Sequence, residues 1–155
     1  MALTRKDILT AVKSLFEGDS ELLSLVKNFY IDAAEYEKAG VGVDKGYKMF
    51  MIASPREKVQ DRSQNNDYRI TVYYTIVANK SDPQKGLDNI DKIENRIDYL
   101  LSNEMWSGNY LTSDSDSTVY DIVWESSDAE VRTEEKGLSV LSEGIIQILI
   151  NRVKA

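Results

Sequence analysis

Apolar positions along the chain alternate between a helical period and a strand period. Ile8, Ala11, Val12, Leu15 and Phe16 recur at the spacing of one helix face. Thr4 and Asp7, three apart, read as a capping box with Asp in place of the usual Glu. Gly18 reads as the glycine that ends this helix. Asp19 or Ser20 then caps a short second helix carrying Leu22, Leu23, Leu25 and Val26. Residues 32–46 read as a connector around Gly40-Val41-Gly42-Val43-Asp44. Its two glycines suggest a phosphate-binding turn, but the third glycine and the strand–turn–helix setting are missing. Tyr47 to Ala53 predicts a strand closed by Pro55, and the polar stretch Arg56 to Asn66 an exposed loop or hairpin tip.

Asp67 to Asn79 alternates most strictly. Tyr68, Ile70, Val72, Tyr74 and Ile76 fall on one face, and Arg69, Thr71, Tyr73, Thr75 and Val77 on the other. The first face is expected to pack on a core and the second to meet solvent or a partner. Asp82-Pro83 supplies an N-cap and a first helical position. Leu87, Ile90, Ile93, Ile97, Leu100 and Leu101 then form a stripe that stops near Asn103, backed by Asp88, Asp91, Lys92, Asn95 and Asp98. Residues 102–117 read as a loop. Asp114 and Asp116 resemble the start of a calcium loop and Glu125 stands where its last ligand belongs, but Val119 occupies the position that needs Gly.

Two strand-like stretches close the chain. Thr118 to Thr133 contains Tyr120, Ile122 and Trp124 on one face, and Leu138 to Val153 is apolar on both faces near its end. Lys136-Gly137 between them reads as a turn. The expected architecture is one α+β domain spanning residues 1–155: a mostly antiparallel sheet, helices packed on one face and a long C-terminal β-hairpin. Its core is expected to contain Leu15, Ile70, Val72, Ile93, Ile97 and Ile148.

Composition narrows the chemistry. The 155 residues suit one hydrophobic core. There is no Cys, which excludes thiol nucleophiles, disulfides and thiolate metal sites, and no His, the commonest general base and transition-metal ligand. An enzyme is therefore not expected, nor a cofactor or metal. No apolar run approaches the ~20 residues of a membrane helix. The first residues lack a signal-peptide apolar segment, so a cytosolic chain is expected and the Asn79-Lys80-Ser81 sequon carries no weight. Net charge is −7 and uneven: residues 1–80 carry 12 basic and 11 acidic side chains, residues 81–155 carry 7 and 15. No basic stripe is present to displace counterions from phosphates, so specific nucleic-acid binding is disfavoured.

Four segments carry a family resemblance: the first helix with the turn Gly18 to Leu25; the strand Asp67 to Ala78 running into the helix Pro83 to Leu101; the Trp124 strand; and Gly144-Ile-Ile-Gln-Ile-Leu-Ile-Asn-Arg152. With these, the chain resembles the tail-terminator and tail-completion proteins of tailed bacteriophages and phage-like particles. The resemblance implies a homo-oligomeric ring, typically of six subunits, capping the tail tube and joining it to the neck connector. It implies tail tube and neck proteins as partners, DNA passing through the channel without specific binding, no membrane, and a location in the virion at the tail–neck junction after assembly in the host cytoplasm. The acidic second half suits a channel wall that repels phosphate. The alternative reading is a small non-catalytic protein-binding adaptor that uses the Trp124 hairpin. A hydrolase would need a carboxylate pair, and none stands out.

Two charge clusters are candidate intersubunit contacts. Arg56, Lys58, Arg62 and Arg69 follow Pro55, and Asp128, Glu130, Glu134 and Glu135 surround the C-terminal turn. In a ring each subunit offers different patches to its two neighbours, so opposite charges suit such a contact.

Overall fold

A computed structural model describes residues 4–31, 47–55, 57–58, 68–79, 83–104, 117–126, 130–134 and 137–152. Helix α1 (Arg5–Glu17) begins with the expected capping box: the Asp7 amide donates to Thr4 Oγ1 at 3.2 Å, and the Thr4 amide donates to Asp7 Oδ2 at 2.8 Å. Two amides that the helix cannot satisfy itself are thus paired. Gly18 ends α1, but in the right-handed region (φ −78°, ψ −8°) and not as a left-handed glycine. Its amide donates to the Ser14 carbonyl at 3.0 Å. Asp19 then caps α2 (Ser20–Leu25), accepting from the Leu22 amide at 2.9 Å.

The chain departs here from the sequence expectation. Helix α2 stops at Leu25, and Val26 opens a strand, β1 (Val26–Tyr30). Leu22 is buried, but Leu23 is exposed. Strand β1 runs parallel to β2 (Tyr47–Ala53), with a register shift between Val26 and Asn28. That irregularity puts the two buried side chains of β1, Val26 and Phe29, three residues apart, which is a helical spacing. A short strand, β3 (Glu57–Lys58), forms at the start of the stretch expected to be an exposed loop or hairpin tip.

Strand β4 (Tyr68–Asn79) is the spine of the sheet. It pairs antiparallel with β2 and β3 on one side and with β7 (Gly137–Arg152) on the other. Strands β5 (Ser117–Ser126) and β6 (Glu130–Glu134) both pair antiparallel with the far edge of β7. The seven-stranded order is β1-β2-β4-β7-β5, with β3 on β4 and β6 on β7. Among the described residues the sheet is therefore mostly antiparallel, with β1–β2 as the one parallel pair. The last stretch before β7 is interrupted, because residues 127–129 separate β5 from β6. The turn expected at Lys136-Gly137 falls partly outside the described residues, as do the Asp82 cap, the Gly40–Gly42 turn and the Asp114 and Asp116 loop.

Helix α3 (Pro83–Tyr99) continues as a π-helical turn, Leu100–Glu104. Its phase is the expected one: Ile90, Ile93, Ile97, Leu100 and Leu101 are buried, and Asp88, Asp91, Lys92, Asn95 and Asp98 are exposed. Helix α1 packs on β2 and β4, and α3 packs on β7. Between helices and sheet lie Ile8, Val12, Leu15, Phe16, Ile93 and Ile97 against Met49, Met51, Ile70, Val72, Ile146 and Ile148. Each such side chain contributes about 1.5–3 kcal/mol by leaving water. Two polar ties cross this interior. Tyr47 Oη donates to the Gly86 carbonyl at 2.8 Å, fixing the start of β2 to the first turns of α3, and burial raises its pKa. Ser142 Oγ donates to Glu94, joining β7 to α3.

Candidate functional site

Strand alternation gives the sheet a second face, away from the helices. Across its middle the register aligns Ile52 of β2, Tyr73 of β4, Ile145 of β7 and Glu125 of β5 in one row. The next row contains Phe50, Thr75 and Glu143. Neighbouring strands stand ~4.8 Å apart, so the first row spans ~14 Å. Ile52 is 54% exposed and Tyr73 45% exposed. Toward β1 the apolar surface continues as Tyr30 stacked on Phe50, with ring centroids 5.1 Å apart.

These residues line a shallow groove of about 580 Å³: Ile52, Tyr73 and Ile145 give an apolar floor, and Glu125 and Glu143 an acidic margin on the β5–β7 side. An antiparallel sheet facing water ordinarily alternates polar residues outward. Here three neighbouring strands place apolar side chains at adjacent outward positions. Other outward positions are closed. Lys48, Thr71, Val77 and Leu141 are buried, and Thr71 is pinned by Ser54, whose hydroxyl accepts from the Thr71 amide at 3.0 Å. The open part of the face is thus its centre.

Beneath the groove one glycine sets the geometry. Tyr74 points to the helix side, and its ring crosses β7 at Gly144, its register partner. A Cβ at Gly144 would collide with the Tyr74 ring and hydroxyl. The absence of that Cβ lets Tyr74 Oη accept from Trp124 Nε1 of β5 at 2.9 Å, across the strand between them. Burial pushes the Tyr74 phenol above its ordinary range. Trp124 thereby packs against the core. Its indole N–H is thus paired within the chain.

The proposed charge clusters are distributed differently from the groove. Arg69 Nη2 meets Glu57 Oε2 at 2.6 Å, so this arginine is engaged within its own chain, while its Nε is buried with no hydrogen-bond partner. Lys58 lies exposed on β3, opposite Tyr68. On β6, Glu130 is in register with Leu141 and Glu134 with Gly137. Arg56, Arg62, Asp128 and Glu135 lie outside the described residues. The groove was signalled in the sequence by Tyr73 on the outward face of the β4 alternation and by Ile145 on the two-sided apolar strand. What single-strand periodicity does not show is that these residues become neighbours, since that depends on register.

A separate ionic cluster joins the helices. Arg96 of α3 binds Asp19 through both oxygens, at 2.8 and 2.7 Å, approaches Glu21 at 3.2 Å, and lies 4.5 Å from the centroid of the Tyr99 ring. The hydrogen bonds from Arg96 hold the Asp19 carboxyl below its ordinary pKa. Both partners are mutually satisfied, and the cluster fixes α2 to α3. Among the described residues no group of three acidic side chains is placed to hold a metal ion, and no helix is long and apolar enough to cross a membrane. No protein-family model matches the chain, and a search of curated proteins returns no match.

Proposed function

We propose that the chain is a structural ring subunit of a phage tail or tail-like particle, a tail terminator that caps the tube and joins it to the neck connector. The observation that carries this reading is the open apolar row Ile52–Tyr73–Ile145 with its acidic margin, a surface suited to contact with protein. It accompanies the resemblance of the α1–α2 turn, the β4–α3 unit and the C-terminal strand to tail-terminator proteins. On this reading the chain acts by position: it presents one surface to its neighbour and others to the tube and connector, and it requires no reacting group.

The test is to image particles assembled with a tagged copy, alongside particles made without the chain. The expected result is the tag at the head-proximal end of the tube, and heads and tails that stay unjoined when the chain is absent. A tag found elsewhere, or normal joining without the chain, overturns the proposal. The charge clusters are tested in the same particles. Arg56→Glu with Lys58→Glu, and Glu134→Lys with Glu135→Lys, should each impair assembly without lowering the melting temperature, and their combination should restore it in part. Normal assembly in both variants leaves the apolar row as the contact.

A further inference from the structure

No further inference is drawn: the strongest candidate, the open groove over Ile52, Tyr73 and Ile145 on the helix-free face of the sheet, belongs to the surface already described, and nothing in the structure shows what covers it.

Discussion

The two faces of the sheet are made from the same strands and differ in what covers them. On the helix side Ile70, Val72, Ile146 and Ile148 are fully buried beneath α1 and α3. On the other side Tyr73, one residue from Val72 along β4, and Ile52, one residue from the buried Met51 along β2, remain about half exposed. Hydrophobicity alone therefore does not separate core from surface here; the layer laid on each face does. The covered face stabilises the fold, and the open one contributes little to it. The largest test of this contrast is on the covered side. Ile97→Ala should destabilise by ~2–5 kcal/mol, the usual loss for a buried large-to-small change, while Asp98→Ala, one position around α3, should change stability little. Chemical denaturation of both variants measures the difference, and similar losses would mean that α3 is rotated from the phase described.

Gly144 separates the two faces within one strand, and its effect should be next in size. A methyl group there meets the ring of Tyr74, which is buried and hydrogen-bonded and so has little room to move. Gly144→Ala should cost ~1–3 kcal/mol, as overpacking does. Removing the ring should relieve the clash. In a double-mutant cycle with Tyr74→Ala, the combined loss should fall short of the sum of the two single losses. Additive losses would mean that Gly144 matters for β7 itself and not as a passage for Tyr74.

Much of this contrast is legible along the chain, and the failures have physical causes. Strict alternation in β4 and the stripe of α3 each report one covering surface, so their buried residues are read directly. Thr4, Asp7 and Asp19 are legible because capping is local chemistry between residues three apart. Strand β1 is not legible: the irregularity at Lys27 gives Val26 and Phe29 a helical spacing, and the pairing with β2 is non-local. The groove is only half legible. The outward apolar side chains of β4 and β7 can be picked out, but the meeting of Ile52, Tyr73 and Ile145 depends on register across three strands. Arg69 shows the converse, since a basic residue counted toward a contact patch is already paired with Glu57.

The helix layer has its own test, of intermediate size. Asp19 both caps α2 and binds Arg96. Asp19→Ala removes both roles, and losing the cap alone should cost ~0.5–2 kcal/mol. Asp19→Asn keeps a capping side chain and removes the charge, so it should lose less. The pH dependence fixes the sign. The folded-state pKa of Asp19 lies below the ordinary value of an aspartate, so its contribution is present above the unfolded value and is lost as pH falls through the lower folded value. The advantage of the native chain over Asp19→Asn should therefore be full at neutral pH and shrink below about pH 4. Equal stability of the two chains at neutral pH would show that the pairing with Arg96 contributes nothing.

The smallest stability effect should come from the open face, and its smallness is the point of the comparison. Ile52 already exposes more than half of its surface in the folded chain, so shortening it removes little burial and leaves no cavity. Ile52→Ser should change unfolding free energy by no more than ~0.5 kcal/mol, the usual range for surface substitutions away from special features. The same change one face away, at Met51, which is fully buried, should be several times larger. If a second copy covers the groove, Ile52→Ser should also weaken self-association while leaving the monomer's unfolding unchanged. Sedimentation at graded concentrations, run beside denaturation under dilute conditions, separates the two quantities. A large loss of stability in the dilute chain would mean that Ile52 is covered within its own fold, and the distinction between a folding face and a contact face would then fail at its most exposed residue.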